Sequence, residues 1–288
     1  LISNDSLKDT RLVKDFKLVH NARFSKTARA YTDNDPSSGF YHNIYNDSIL
    51  TSDSTGVNSF YNYIYLEGRS KSDIFNIRAG TFNSIENYSL ISNDSLLVFY
   101  GFKGGFDFNF GNMFKGYFSS QLIFNGIYQG DTKTLMGINY KVLKRSNSPV
   151  LGFNVCRDKE SSKIYMNNYS SNNFIWENDF KKMTTNTFEA SLQWPLVFSK
   201  ATLIIGNVNE YLYFNENSFP EQYKGAISFY SAELSTFVPL SNFQFESNIL
   251  FQNNDNNLIM PVPEFNFKGS ISYSWFMFKK ALNIGIGI

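Results

Sequence analysis

The sequence has few of the residues on which catalytic and metal sites depend. Cys156 is the only cysteine, which excludes an intrachain disulfide and any metal site built from several thiolates. The only histidines are His20, on the apolar side of an alternating segment, and His42, in a loop, and we predict structural roles for both. No zinc-protease, phosphate-loop, serine-hydrolase or dinucleotide motif occurs. We therefore predict that the protein is not an enzyme and holds neither a metal nor another cofactor.

Long apolar runs and an excess of one charge are also missing. No run approaches the roughly 18 apolar residues that a transmembrane helix needs. Lys and Arg number 26 against 25 Asp and Glu, for a net charge of +1. This balance argues against nucleic acid as a partner, because such binding usually relies on a strongly basic surface. No basic and then apolar leader opens the chain, which begins at Leu1.

What the sequence has in abundance is aromatic residues, and they alternate with polar ones. It contains 30 Phe, 18 Tyr and 3 Trp. Between 98 and 110, Phe102, Phe106 and their even-numbered neighbours are apolar, whereas Lys103, Asp107 and Asn109 are polar. Successive side chains of a β-strand point to opposite faces, so this period of two predicts a strand with one apolar and one polar face.

The same alternation recurs along most of the chain, and polar connectors rich in Asn, Asp and Ser separate the segments. It is clearest in residues 114–128, 133–142, 188–194, 243–251, 265–275 and 282–288. Prolines lie in or beside the connectors, where a missing amide hydrogen does no harm to a sheet. We count about 14 strands. Because apolar alternation still runs at the last residue, we expect a single domain over residues 1–288 that is incomplete at both ends.

Two architectures bury the apolar face of such strands. A soluble β-sandwich packs two sheets together, whereas a transmembrane barrel turns the apolar face to lipid and the polar face to its lumen. The alternating segments are longer than the 5–6 or so residues typical of soluble strands, and the connectors alternate between short and long. The sequence therefore favours an all-β, antiparallel, up-and-down transmembrane β-barrel, with the soluble sandwich as the alternative.

A barrel in lipid would place the polar side chains of these strands in the lumen. The predicted pore-lining residues are Lys103, Asp107, Asn109, Lys115, Gln121, Asn125, Lys133, Asn139, Lys141, Glu189, Gln193, Glu246 and Lys268. They mix both charges with amides, the kind of lining that sets the field and the ion preference of a pore.

Several short stretches resemble the putative-porin family that is widespread in the outer membranes of Bacteroidota. They are residues 18–24, which read LVHNARF, the Tyr-Thr-Asp at 31–33, the FYHN at 40–43, the FPEQ at 219–222 and the PVP at 261–263. The resemblance covers most of the chain as scattered, weak signatures. It implies a bacterial outer-membrane barrel with pore activity and further strands before and after this chain. The absence of a last strand that ends in Phe is a departure from a complete barrel of this kind.

Two functions remain open at this point. The first is a channel for passive diffusion of small polar solutes. The second is a barrel that transports nothing and serves as a scaffold or a surface-binding protein through its long loops. Either one predicts outer-membrane lipid as a partner and leaves a homo-oligomer open.

Overall fold

The structure is a computed structural model that describes residues 13–34, 41, 43–89, 94–111, 113–145 and 147–288. Within these ranges the chain forms β-strands almost throughout, and its only α-helix (α1) is a four-residue turn. The elements are β1 (Val13–Asp33), β2 (Thr51–Ser70), β3 (Phe75–Ser89), β4 (Asp94–Phe110), β5 (Phe114–Asn125), β6 (Thr132–Lys141), β7 (Val150–Glu160), α1 (Ile164–Asn167), β8 (Asn168–Ser170), β9 (Ile175–Glu177), β10 (Met183–Trp194), β11 (Ser199–Phe214), β12 (Pro220–Leu240), β13 (Phe243–Asn254), β14 (Phe265–Met277) and β15 (Leu282–Gly287).

Thirteen of these described strands form one antiparallel sheet in which each strand pairs with its neighbours along the chain. The remaining two, β8 and β9, make a small hairpin inside the connection from β7 to β10. Strands account for 73% of the structure. The predicted all-β, up-and-down arrangement is confirmed. Among the described residues, no helix is long or apolar enough to cross a membrane.

The connections differ between the two ends of the sheet. At one end, which we call the long-loop end, the chain turns through residues 34–50, 90–93, 126–131, 161–182, 215–219 and 255–264. At the other, the short-turn end, it turns through residues 71–74, 111–113, 142–149, 195–198, 241–242 and 278–281. All three of the longest connections therefore lie at one end.

The pairing register separates an apolar face from a polar face, because directly opposed residues of antiparallel strands project to the same side. Phe106 opposes Ile77 and Phe118, whereas Lys103 opposes Gln121. The apolar face is open to its surroundings: Phe102 on this face is 55% exposed. Within the described part of the chain no second sheet covers this face. The described strands thus do not form a two-sheet sandwich, and the exposed aromatic face requires an apolar environment.

One apolar cluster lies on the polar face, which the sequence pattern did not predict. Phe82, Phe99, Ile123 and Tyr128 are buried together at the inner side of β3, β4 and β5. Gly101, opposite Phe82, makes room for them, since a Cβ there would lie 2.1 Å from the Phe82 ring. The side chains of this cluster form part of the wall of a cavity on the polar face.

The sheet is open between its first and last strands. β15 pairs with β14, and the amide of Ile288 continues the ladder by donating to the carbonyl of Ile271 at 3.0 Å. For the residues that the structure describes, neither β1 nor β15 has a partner strand on its other edge. Residues 281–288 therefore pair on one side only, as expected for an open sheet.

Candidate functional site

The predicted pore-lining residues fall into cross-strand rows on the polar face. Directly opposed residues share a row, and rows follow one another from the long-loop end to the short-turn end. Five rows contain predicted pore-lining residues. From the long-loop end, the first holds Lys103, Gln121 and Lys133, the second Asp107 and Glu189, and the third Asn109, Lys115 and Asn139. The fourth holds Lys141, Gln193 and Lys268, and the fifth holds Glu246. Residues from six strands thus share one polar surface.

Asn125 does not share this surface. A register shift between Tyr100 and Gly101 inserts one extra residue into β5, so that Asn125 comes opposite Tyr100 of the apolar face. Its side-chain oxygen accepts a hydrogen bond from the amide of Gly126, 2.6 Å away, at the start of a tight turn. The prediction for Asn125 is thus wrong, because a bulge reverses the relation between residue number and face.

In the first two rows, those nearest the long-loop end, most of the charged side chains have a fixed partner. Arg78 forms an ion pair with Asp107 of the neighbouring strand. Lys133 and Asp158 are directly opposed and lie 2.5 Å apart. The amide of Asn154 donates to Glu189 at 3.2 Å. Such pairs hold side chains in place along the wall and reduce the net field that they produce.

A cavity of about 870 Å³ opens on the polar face near the long-loop end. Its wall includes Tyr61, Tyr63 and Tyr65 of β2, together with polar side chains from β1 to β5. The cations at its edge lie over tyrosine rings: the Arg23 guanidinium is 5.8 Å from the Tyr61 ring centre, and the Lys103 ammonium is 5.7 Å from that of Tyr63. The cavity is therefore mixed in charge, with partly apolar walls.

The connection 161–182, which we call the crossing loop, spans the long-loop end. It leaves β7 and reaches the connection before β2, across the four intervening strands β3 to β6. There the buried side chain of Asn172 accepts the amides of Asn46 and Asp47 at 2.9 Å each and donates to Thr51 Oγ1 at 2.8 Å. Asn173 accepts a bond from the Thr51 hydroxyl at 3.1 Å. The loop is thus fixed to the connection between β1 and β2, and its Lys163 lines the cavity.

Both ends of the crossing loop are held by one carboxylate. Asp131, in the turn between β5 and β6, accepts bonds from the Ser161 amide and hydroxyl at 3.0 and 2.7 Å. The Lys182 ammonium lies 2.5 Å from the same carboxylate. Since Ser161 begins the loop and Lys182 ends it, this network closes the loop at its base.

Aromatic rings fill the space between the crossing loop and its neighbours. Phe174 and Trp176 each make edge-to-face contacts with Phe219 of the β11–β12 connection, at 5.9 and 6.0 Å. Tyr41 approaches Phe174 from the other side, at 6.2 Å. Burial, together with a hydrogen bond to Tyr31, raises the pKa of Tyr41 to about 12. Three connections at the long-loop end therefore pack on one another.

The connection before β2, to which Asn172 binds, contains a hydrogen-bonded turn of its own. The Asp47 carboxylate accepts the amides of Ile49 and Leu50 at 2.8 and 3.2 Å, a turn that Asp forms readily. These two bonds hold the pKa of Asp47 below its usual value.

Sequence reasoning did not single out the crossing loop. The Ser171-Asn172-Asn173 run was visible only as part of a polar connector, and nothing local reveals its partners, which lie about 120 residues earlier in the chain. Burial singles these side chains out, because asparagine is rarely buried unless its amide is fully bonded.

The remaining candidates bring no further chemistry together. His20 is exposed on the apolar face, with its Nε2 atom 3.3 Å from the Asn62 side-chain oxygen. His42 lies outside the described residues. Across the described ranges, no group of three or more His, Cys, Asp or Glu side chains could hold a metal ion.

Solved structures similar to this chain are outer-membrane barrels. They include the copper transporter OprC (11% identity, TM-score 0.63, 91% of this chain and 47% of that one). The siderophore receptor PirA from Pseudomonas aeruginosa is 9% identical with a TM-score of 0.58, and the match covers 88% of this chain and 51% of that one. The FrpB iron transporter from Neisseria meningitidis is 11% identical with a TM-score of 0.63, and the match covers 96% of this chain and 49% of that one. The chain thus spans about half the length of these proteins. At such low identity the likeness shows the fold alone.

A comparison of sequences points to a family directly. The profile of the family described as Putative porin matches residues 4–288. No curated protein matches the sequence.

Proposed function

Because the chain belongs to the putative porin family, whose barrels lie in the bacterial outer membrane, we propose that it forms part of the wall of a channel for passive diffusion of small polar solutes. The observation that carries the proposal is the polar face. One continuous surface of charged and amide side chains, with rows such as Lys103, Gln121 and Lys133, runs opposite a face of exposed aromatics. A water-filled lumen inside lipid requires this division.

The two ends of the sheet give the proposed channel a direction. Outer-membrane barrels have short periplasmic turns and longer outer loops. The long-loop end would accordingly face the outside, and the crossing loop would narrow the outer entrance. Fixed by Asn172 at its tip and Asp131 at its base, this loop would limit the size of solutes that reach the cavity.

A barrel that binds partners at the surface, and transports nothing, is the second candidate. The packed long-loop end favours it, because Phe174, Trp176 and Phe219 hold three connections in one fixed arrangement. A fixed surface can bind a partner with little loss of conformational entropy.

Conductance separates the two candidates. The full-length protein that contains this chain would be reconstituted in planar bilayers and its single-channel conductance recorded in KCl. Stepwise, ohmic conductance that grows with salt concentration supports the channel. Correctly folded, inserted protein with no conductance supports the surface-binding barrel instead. A matched preparation of heat-unfolded protein controls for contaminating pores.

The proposal extends to partners. Outer-membrane lipid would cover the apolar face, and small polar solutes would be transient occupants of the lumen. A homo-oligomer would pack apolar faces together within the bilayer. Neither nucleic acid nor a catalytic substrate has a place in this proposal.

A further inference from the structure

We propose that the short-turn end of the channel carries a binding site for small oxyanions and makes the pore anion-selective. The site is a row of three lysines on the polar face, Lys141, Lys200 and Lys268, which we call the lysine row. This inference rests on the proposed channel function and names the class of solute that the channel favours.

The register places the three lysines in line and evenly apart. Lys141 lies on β6, Lys200 on β11 and Lys268 on β14, and the residues directly opposed between them are Val150, Gln193, Ser235 and Asn248. Each lysine is three strands from the next, or about 14 Å at the usual strand spacing. No carboxylate belongs to this row. Of its other polar members, Ser235 and Asn248 donate to Glu233 of the neighbouring row, whereas the amide of Gln193 can donate to an anion.

Among the residues that the structure describes, the lysine row differs from the first two rows in having no ion pairs. The ion pairs between described residues include those of Glu67, Asp107, Asp131, Asp158 and Glu210. The partners of these carboxylates do not include Lys141, Lys200 or Lys268. An ammonium that has no fixed counterion is available to a mobile anion, and rings of Lys or Arg are how anion pores select.

A cavity of about 660 Å³ lies against this part of the polar face. Two members of the lysine row, Lys200 and Lys268, line it together with the polar Ser235, Asn248 and Ser270 and with the rings of Trp194, Phe198 and Phe237. Glu246, in the next row, is its one carboxylate. A second nearby acid, Glu233, accepts a hydrogen bond from Asn248. Lys115 is one row further toward the long-loop end, so four lysines face two carboxylates in these three rows.

This lining suits a small oxyanion such as phosphate or a short carboxylate. Ammonium groups provide the charge, while the Gln193 amide and the Ser270 hydroxyl, which also line the cavity, can donate hydrogen bonds to the oxyanion. The whole chain carries a net charge of only +1, so the preference would come from this local arrangement and not from an overall field.

The test compares the full-length wild-type protein with K141Q/K200Q/K268Q in bilayers under a KCl gradient. We expect a reversal potential on the anion-selective side for wild type and a several-fold loss of the chloride-to-potassium permeability ratio in the triple variant. The matched control is K144Q/K279Q/K280Q, which removes three lysines from turns at the same end and should leave the ratio nearly unchanged. Equal effects of both variants, or a cation-selective wild type, would overturn the proposal.

Binding is measured separately, so that a failure of the channel and a failure of the site can be told apart. Inorganic phosphate is titrated into each purified protein in detergent and followed by calorimetry. Phosphate binding that only the lysine-row variant loses supports the site even if no conductance is found, in which case the channel proposal alone fails. Absence of binding to the wild type, or equal binding to all three proteins, contradicts the site.

Discussion

At the scale of single residues, close approach of backbones decides where small side chains are required. Gly80 of β3 opposes Tyr65 of β2 on the polar face. A Cβ at this position would lie 2.1 Å from the carbonyl oxygen of Ile64 and 2.5 Å from the Cα of Tyr65. Since these are backbone atoms, they cannot move aside as the end of a side chain can.

We therefore predict that Gly80→Ala lowers the stability of the folded barrel by about 1–3 kcal/mol, the usual cost of overpacking. Gly104→Ala is the matched control on the neighbouring strand, because a Cβ there meets its nearest atom, the Arg78 carbonyl oxygen, at 3.4 Å. The measurement is the midpoint of urea unfolding in detergent or lipid. Equal midpoints for the two variants would show that β2 and β3 do not approach as closely as described.

Asn172 is a second position at which a single side chain decides a larger structural feature, here the attachment of the crossing loop. Asn172→Ala removes the acceptor of two amides and the donor to Thr51 in a buried site. Each group left unsatisfied costs about 1–3 kcal/mol. We expect the crossing loop to detach, which would increase protease cleavage within residues 161–182. If the loop narrows the channel entrance as proposed, the single-channel conductance should also increase. Asn168→Ala, at an exposed position of the same loop, should cause neither change. If the Asn172 variant were protected from protease as well as wild type, the role of Asn172 in fixing the crossing loop would be refuted.

At the scale of the strand, alternation and register together assign each side chain to lipid or to water. Phe106 is flanked by Ile77 and Phe118 on the apolar face, whereas Ser119 lies on the polar face opposite Gly105. The two positions are close in the sheet but differ in their surroundings.

Phe106→Lys is accordingly expected to destabilise the barrel in lipid by about 2–4 kcal/mol, as for a lysine near the middle of a bilayer. Ser119→Lys should change stability far less, because the ammonium would enter the lumen. Unfolding titrations of both variants in the same vesicles provide the comparison. A larger loss for Ser119→Lys would reverse the assignment of the two faces and with it the membrane orientation of the sheet.

At the scale of the whole molecule, the single cysteine reports whether the polar face lines a water-filled pore. Cys156 of β7 lies between Leu135 and Thr187 in the row that also contains Ser119, and it is half-buried. We predict that a positively charged methanethiosulfonate reagent reduces the conductance of open channels, since the added group occupies lumen volume. Cys156→Ser should abolish the effect. An unreactive thiol in the folded protein that reacts after unfolding would mean that water does not reach this row.

Sequence and tertiary structure contributed different parts of this description. The period of two in segments such as 98–110 was enough to predict long antiparallel strands with one apolar and one polar face, because the pleat of a strand depends on local geometry alone. Lys103, Asp107 and Lys133 could be assigned to the polar face from residue number. Asn125 could not, because a bulge costs little and leaves no clear mark in the sequence.

Only the tertiary structure decided which residues meet across strands. Register sets the even spacing of Lys141, Lys200 and Lys268, and it depends on the turns and bulges of all the strands between them, not on any local pattern. The contact of Asn172 with Thr51 joins residues that are far apart in the chain, and no periodicity encodes such a pairing. The sequence by itself therefore determined the class of fold and the two faces of the sheet. The attachment of the crossing loop and the unpaired lysine row, by contrast, follow from packing and register.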